Sequence, residues 1–320
     1  MDLIYATDEK VDIGVMQDFT FDLAFGSDEN DFELTTNINN HVCKSGYFIY
    51  IENTEYGGTV DKVKVQTESN TLIYKGRTWH GILASKILEP DSGEDYLICS
   101  GEANTVLGML IERMNLSELF KADSSDSELM ISSYKMNRYI DGYEGIRKML
   151  SSVHAKLKIH FQDGFAVLSA EVLVDYSKDE EFDSSQINFN AEKNYKPVNH
   201  MICLGQGELK ERMVMHLFAD IQGNISYVQS IFGMDEITGT YENVNVESIE
   251  ELEKGGRDAL KESWNSDSLE INIESTQNYD IGDIVGAREH ITNIFVARPI
   301  AKKIVTIKGD IVTTSYKVGK

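Results

Sequence analysis

The first hundred residues carry the short apolar runs that are typical of β-strands. Tyr47–Ile51 is apolar and aromatic, and Val63–Thr67 alternates apolar with polar side chains. A polar turn at Glu68–Asn70 then leads into a further apolar run, Thr71–Tyr74. Because successive side chains of a strand point to opposite faces, this pattern predicts a sheet with one covered and one wet face.

After Ser100 the apolar residues recur every three or four positions, which predicts helices. One stripe runs from Ala103 to Met114, and a second runs from Ile146 to Val153. The polar stretch between them, Lys121 to Glu128, is expected to be a loop. The spacing therefore predicts two amphipathic helices in this part of the chain.

A β-hairpin is predicted directly after the second helix. Asp163-Gly164 separates two apolar runs, Leu157–Phe161 and Phe165–Leu168, and Asp-Gly suits a type I′ turn because both central residues need positive φ. The acidic stretch Lys178–Ser185 follows as a boundary. We therefore assign residues 101–190 to a small α+β module, after a first β domain over residues 1–100.

Strands return in residues 191–320, which we assign to a second β domain. Met201–Leu204 and Val214–Phe218 are strand-like, and Ser248–Glu251 is a capping box with Ser at the N-cap and Glu at the third helical position. It predicts a helical insertion near 246–266, interrupted at Gly255-Gly256.

The two β domains echo each other weakly. A strand, a Lys308–Asp310 turn and a second strand near the C-terminus repeat the arrangement of residues 60–76. If the echo is a duplication, both segments form hairpins in related domains, with a bulge allowed in the second. Apolar side chains are then expected on covered faces and lysines on wet ones, the apolar examples being Val63, Val65, Ile304 and Ile307.

The composition narrows the class of protein. The 30 basic and 53 acidic residues give a net charge of −23. This charge argues against sequence-independent binding to nucleic acids and against binding to an anionic membrane. Cys43, Cys99 and Cys203 are widely spaced and odd in number, so no disulfide framework is expected. No apolar run reaches the length of a membrane span, and the N-terminus lacks the pattern of a signal peptide.

Candidate chemistry is sparse. The sequence has no phosphate-binding loop, nucleophile elbow, His-Glu-x-x-His or Cys-x-x-Cys motif. His41 with Cys43 and His200 with Cys203 are interpreted as hydrogen-bonded histidines near buried thiols, since a zinc site needs four ligands. His80 after Trp79 is interpreted as packing at a strand end. We therefore assign no catalytic, cofactor-binding or metal-binding residue, and we expect no enzyme activity and no cofactor.

Several runs, in order along nearly the whole chain, resemble the central tail-hub, or baseplate-hub, proteins of tailed phages and prophages of Gram-positive hosts. The runs that carry this resemblance are Ser45–Ile51, Tyr74–Leu83, Val198–Arg212, His216–Asp220, Gly223–Ser226, Tyr279–Gly286 and Ile300–Gly319.

The resemblance implies a β-rich α+β fold with two tube-type β-barrel domains and inserted α+β elements. It also implies a homotrimer that closes the distal end of the tail tube and adapts six-fold to three-fold symmetry. The expected partners are a tail tube or distal tail protein above and a spike or fibre protein below, with contact to a tape-measure protein also compatible. DNA would pass through the acidic lumen without specific binding, and the protein would be made in the host cytoplasm and reside in the virion tail.

Two other functions stay open from the sequence. A tail-associated hydrolase of cell-wall glycan or peptide would show close carboxylates in a cleft. A host-surface-binding module would show a shallow aromatic groove.

Overall fold

The computed structural model describes residues 1–178, 181–185, 187–246, 248–274 and 278–319. The helices within these ranges are α1 Trp79–Ala84, α2 Ala103–Arg113, α3 Gly142–Ser151 and α4 Ile249–Trp264. The strands, in chain order, are β1 Ile4–Ala6, β2 Asp12–Val15, β3 Thr20–Gly26, β4 Asp31–Asn37, β5 Phe48–Tyr50, β6 Gly57–Gln66, β7 Thr71–Thr78, β8 Ile87–Leu88, β9 Ile98–Glu102, β10 Phe120–Ala122, β11 Met130–Lys135, β12 Ile140–Asp141, β13 Ala155–Gln162, β14 Phe165–Val172, β15 Glu181–Asp183, β16 Phe189–Glu192, β17 His200–Leu204, β18 Val214–Ala219, β19 Ile225–Ser226, β20 Thr238–Glu242, β21 Ser268–Glu274, β22 Ile284–Arg288, β23 Phe295–Lys308 and β24 Ile311–Val318.

One large sheet connects the two ends of the chain. Its strand order is β16-β21-β24-β23-β3-β4-β7-β6-β5-β1-β2, and β22 joins it beside β23, with β15 paired to β22. The predicted β-rich α+β class is confirmed. In the described ranges the pairings trace an open, branched path, and no sheet closes into a barrel.

The alternation along β3 and β4 explains the main core of this sheet. Phe21, Leu23 and Phe25 of β3 are buried, together with Phe32 and Leu34 of β4. The residues between them are only partly buried or exposed, since they point to the opposite face. The sheet therefore has one face on the core and one polar face, as the sequence predicts.

The α+β module packs α2 and α3 with a three-stranded sheet of order β10-β14-β13. The predicted hairpin is confirmed, because β13 and β14 pair in full register around Asp163 and Gly164, whose φ angles are 51° and 75°. The apolar stripes of both helices are buried, as the three- and four-residue spacing predicts. Local patterning thus predicts the two helices and the hairpin, whereas β10 extends into the stretch expected to be a loop because it pairs with the distant β14.

A smaller subdomain, inserted between β16 and β21, consists of α4 on a four-stranded sheet of order β19-β18-β17-β20. The predicted N-cap is confirmed, since the Ser248 side chain accepts from the Glu251 amide, while the Glu251 carboxylate accepts from the Tyr96 hydroxyl. The predicted interruption at Gly255-Gly256 is wrong, because α4 is continuous. A Cβ at Gly255 would lie 2.1 Å from the Tyr241 hydroxyl, and one at Gly256 would lie 2.2 Å from Cys203 Sγ. These glycines allow the helix to approach the sheet, and that contact outweighs their low helix propensity.

We expect Gly256→Ala to destabilise the protein by about 1–3 kcal/mol, because the added methyl would overlap the buried Cys203 thiol. Chemical denaturation measures the change. Gly108→Ala in α2 is the matched control, since its Cβ would meet Ala122 at an ordinary 3.7 Å. There the substitution should be neutral or stabilise by up to about 1 kcal/mol. Equal effects at the two helical glycines would contradict this interpretation of α4.

One expectation for the hairpins is wrong and another holds only in part. Val63 and Val65 are 40% and 50% exposed, because the outer half of β6 extends past the core. Lys302 and Lys303 are buried rather than wet, whereas the other hairpin lysines are exposed as expected, namely Lys62, Lys64, Lys75, Lys308 and Lys317. Lys302 forms ion pairs with Asp28 and Glu29, and Lys303 lies beside Glu55, so distant partners compensate their burial. Ile307 is buried as expected.

Candidate assembly interface

The large sheet contains two five-stranded units with the same topology. The first has the spatial order β3-β4-β7-β6-β5 and the second has the order β16-β21-β24-β23-β22. Every neighbouring pair within each unit is antiparallel. The chain also passes through the strands of both units in the same sequence: the first two in space, then the fifth, the fourth and the third. The subdomain with α4 is an insertion between the first two strands of the second unit and leaves this order unchanged.

Details of register support the duplication. The pairing shifts between Val60 and Lys62 in β6 and between Ile300 and Lys302 in β23, so each long strand carries a bulge at the corresponding position. The partner strands then place Tyr74 and Tyr316 at equivalent positions, and both are fully buried. The prediction that both segments form hairpins of the same topology is confirmed, and the bulge allowed in the second hairpin is present in both.

The two units are joined inside the chain by a strand pair. Residues 20–26 of β3 pair antiparallel with residues 302–308 of β23, so Lys302 lies opposite Gly26 and Lys308 opposite Thr20. Gly26 has φ +146°, and a Cβ there would lie 2.2 Å from the Ala301 carbonyl oxygen, so glycine is required at the bulge. The Thr306 hydroxyl donates to Asp22 at 2.6 Å across this pair.

The strands equivalent to this joined pair each have an edge that no described strand covers. β6 corresponds to β23, but its outer half, residues 62–66, pairs only with β7 among the described strands. β16 corresponds to β3, lies at one end of the sheet, and pairs with β21 alone within the described ranges. Phe189 and Ala191 of β16 are half-buried on one face, and Asn190 and Glu192 are exposed on the other. Unpaired strand edges are templates for pairing with another chain.

The polar face of the sheet carries alternating acidic and basic side chains. Arg77 forms a bidentate ion pair with Asp61 at 2.9 Å, and Lys75 pairs with Glu33. Partial burial raises the pKa of Asp61, but the bonds from Arg77 outweigh it and hold the pKa below its ordinary value. The face is therefore charged but locally balanced.

A buried ionic cluster fixes the α+β module to the second unit. Lys156 of β13 contacts Asp283 at 2.9 Å and Asp280 at 2.7 Å, and Lys158 also contacts Asp280. Asp283 is fully buried and accepts from the Val174 amide. Burial opposes the charged form of Asp280, but the two lysines hold its pKa below the ordinary value. No short motif reveals this cluster, because the lysines lie more than 120 positions before the aspartates in the sequence.

His80 is buried, as its interpretation as a packing residue requires. Its ring stacks on Phe25 with centroids 4.6 Å apart, and its Nε2 lies 3.9 Å from Glu55. Burial, with smaller contributions from Lys303 and Arg147, lowers the pKa of His80 to about 3.

We therefore expect acidification to destabilise the protein through His80. Between the folded pKa of about 3 and the unfolded value of about 6.5, only the unfolded chain binds the proton, so stability falls as the pH falls. From pH 7 to pH 5 this one group should remove about 2 kcal/mol. Denaturation of wild type and His80→Phe at both pH values measures the difference. His290→Phe, at an exposed loop, controls for the exchange of residue type, and an unchanged pH dependence in His80→Phe would refute the assignment.

The other residues considered for chemistry lie apart. Cys43 and Cys203 belong to different hydrophobic cores, His41 bonds Tyr74, and His200 bonds Glu236 and His216. Within the described ranges, no group of three or more His, Cys, Asp or Glu residues is placed to hold a metal ion. Over the same ranges, no helix combines the length and apolar character needed to cross a membrane.

Comparison with solved structures identifies the fold. The chain superposes on a tail protein from Neisseria meningitidis with a TM-score of 0.55, at 10% identity, over 100% of this chain and 96% of that one. It matches the 43 kDa tail protein of prophage MuSo2 from Shewanella oneidensis with a TM-score of 0.56, at 10% identity, over 100% and 98%. Prophage tail protein gp18 from Listeria monocytogenes gives 0.57 at 9% identity, over 99% and 94%. The chain thus has the fold of these phage and prophage tail proteins.

No protein-family model matches the sequence. No curated protein matches it either.

Proposed function

We propose that this protein is a structural component of a phage or prophage tail and forms the trimeric hub at the distal end of the tail tube. The fold shared with the three tail proteins supports the general role. The hub role rests on the duplicated unit, because three chains with two similar units each present six similar surfaces to a six-fold tube. The association with Gram-positive hosts stays a prediction from the sequence.

The observation that supports this proposal most strongly is the β3–β23 pair inside the chain, together with the equivalent edges of β6 (residues 62–66) and β16, which no described strand covers. If β16 of one copy pairs with β6 of the next as β3 pairs with β23, the same contact repeats around a ring. Each chain then contributes one internal and one intermolecular junction. A closed ring also removes the exposed edges.

The β3–β23 pairing inside the chain also sets the register of the proposed pairing between β16 of one copy and β6 of the next. Aligning the bulges and the partner strands sets Lys62 opposite Glu192 and Lys64 opposite Asn190 of the neighbour. On the other face, Val63 meets Ala191 and Val65 meets Phe189. Lys62 therefore faces an opposite charge, Lys64 faces a polar amide, and the apolar side chains face apolar ones, which stabilises cross-strand pairs.

The polar sheet face is proposed to line the lumen of this ring. Its balanced ion pairs and the net charge of −23 disfavour retention of DNA. A tail tube or distal tail protein would bind above and a spike or fibre below, in a virion tail. We propose that the chain is divided into domains at residues 1–100, 101–190 and 191–320. The second β domain also includes β15, which pairs with β22, and β16, which pairs with β21, so its sheet begins slightly before residue 191. The role is non-enzymatic.

One surface feature favours host-surface binding as a second function. A groove of about 680 Å³ on the inserted subdomain is lined by Tyr195, Phe232 and Trp264, with Asp235 and Asp267 beside them. Aromatic faces with nearby carboxylates suit a saccharide. Binding of purified cell-wall polysaccharide that Trp264→Ala abolishes would support this function, and no binding by the wild type would exclude it for that ligand.

Light scattering of the purified chain over a wide concentration range tests the oligomeric state. We expect a monomer–trimer equilibrium, and a stable dimer would contradict the hub.

A zymogram on peptidoglycan tests the non-enzymatic role, and lysis abolished by a single carboxylate substitution would overturn it.

A further inference from the structure

Lys303, Glu55 and Asn278 meet where the second unit packs against the segment between β5 and β6 of the first. Lys303 is fully buried, and its Nζ donates to Glu55 Oε1 at 2.7 Å and to Asn278 Oδ1 at 2.8 Å. The rings of Phe25, Tyr56 and Tyr316 surround the amine, with centroids 5.8–5.9 Å away. An amine, a carboxylate and a carboxamide are thus held together in an apolar, aromatic setting.

We propose that Lys303 and Asn278 become joined by an isopeptide bond between Nζ and Cγ, with release of ammonia. Lysine Nζ only donates hydrogen bonds, so the carbonyl oxygen of Asn278 faces it. Because the C=O bond is about 1.2 Å long, the electrophilic Cγ lies within about 4 Å of Nζ. That separation is close to an attack geometry.

The surrounding groups match the roles that such a reaction needs. Glu55 is within hydrogen-bond distance of the nucleophile and serves as the base. The Tyr316 hydroxyl donates to Asn278 Oδ1 at 3.3 Å while it accepts the Tyr279 amide at 3.1 Å. It is therefore aimed at the oxygen on which negative charge develops.

The step balances without a further reactant. The Lys303 ammonium gives a proton to Glu55, and the neutral amine attacks Cγ, so that a C–N bond forms and the C=O electrons move to Oδ1. Glu55 returns its proton to the Asn278 amide nitrogen as the C–Nδ2 bond breaks and the C=O bond forms again. The Lys303 nitrogen then passes its second proton to the departing ammonia. The products are an amide and ammonium. Asn278 is exposed, which gives the leaving group a path to solvent.

The resting state is the ion pair, so the reaction is expected to be slow. Burial lowers the pKa of the Lys303 ammonium, but Glu55, with contributions from Tyr56 and Tyr316, outweighs burial and raises the pKa above the ordinary value. One proton transfer inside the buried pair precedes attack. This suits a single event after folding rather than repeated turnover.

The other two buried lysines provide a contrast. Among the described residues, the Lys156 amine pairs with the carboxylates of Asp280 and Asp283, and the Lys302 amine pairs with those of Asp28 and Glu29. An anionic carboxylate resists attack by an amine. The structure therefore favours a bond at Lys303 alone. That bond would link positions 25 residues apart and fix β23 to the segment before β22. It does not depend on the hub role.

Intact-mass spectrometry of the full chain, followed over days at neutral pH, tests the proposal. The wild type should converge to a mass about 17 Da below the sequence mass, the mass of one ammonia. Proteolysis should yield a linked peptide containing residues 278 and 303. Glu55→Gln, Lys303→Arg and Asn278→Ala should keep their full sequence masses.

Two results would overturn the proposal. One is a wild-type chain that retains its full mass throughout. The other is a 17 Da loss that persists in Lys303→Arg or yields no linked peptide, since a succinimide at Asn278 alone would also release ammonia. The wild-type measurement does not require that any variant folds.

Discussion

Replacing Lys156 by methionine is expected to destabilise the folded chain by about 3–5 kcal/mol, because it leaves the Asp283 carboxylate buried without its cation. Asp283 is fully inaccessible, so water cannot take the place of the ammonium. The cluster also connects the α+β module to the second unit, so the loss should spread to the contact between them. Chemical denaturation followed by circular dichroism measures the change.

Two variants separate a buried charge from a general effect. Lys156→Met combined with Asp283→Asn should recover part of the loss, since a neutral carboxamide is less costly to bury than an unpaired carboxylate. Lys75→Met breaks the exposed pair with Glu33 and should cost no more than about 1 kcal/mol. Similar losses for Lys156→Met and Lys75→Met would refute the account of the cluster.

Substituting Asp for both Val63 and Val65 is expected to abolish self-association while leaving the monomer folded. Both side chains are about half exposed in the single chain, so the change should cost the fold little. In the proposed ring they face Ala191 and Phe189 of the neighbour, where an added carboxylate would be desolvated. Losing about 1.4 kcal/mol or more per junction corresponds to at least a tenfold weaker association.

Light scattering across concentration measures this effect. Val172→Asp is the matched control, since Val172 is also exposed, at 61%, but lies on β14 away from both free edges. It should associate as the wild type does. Full association of the double variant would exclude β6 from the interface.

Local patterns predict the parts of this fold that local interactions determine. The type I′ hairpin at Asp163-Gly164 and the buried stripes of α2 and α3 follow from φ requirements and helical spacing. The interruption predicted at Gly255-Gly256 failed because tertiary contact with Tyr241 and Cys203 overrides helix propensity.

Long-range partners explain the other failures. Lys302 and Lys303 are predicted to be wet, since nothing near them in the sequence reveals Glu29 or Glu55, which lie 273 and 248 positions away. The free edges of β6 and β16 are likewise visible only once the pairing is known. Sequence reasoning suggested the duplication, but only the strand register reveals which edges are equivalent.

Disulfide trapping tests the proposed ring most directly. Residues facing each other on antiparallel strands have Cα atoms about 4.5–5.5 Å apart, within the range that a disulfide spans. The native cysteines Cys43, Cys99 and Cys203 are buried and leave the edges free for new ones. Lys64→Cys with Asn190→Cys should, under mild oxidation, give a covalent species that stops at three chains. Lys62→Cys with Asn190→Cys, a diagonal pair about 7–8 Å apart, should cross-link poorly. No cross-linking of the facing pair, or a ladder that continues past three chains, would contradict the ring.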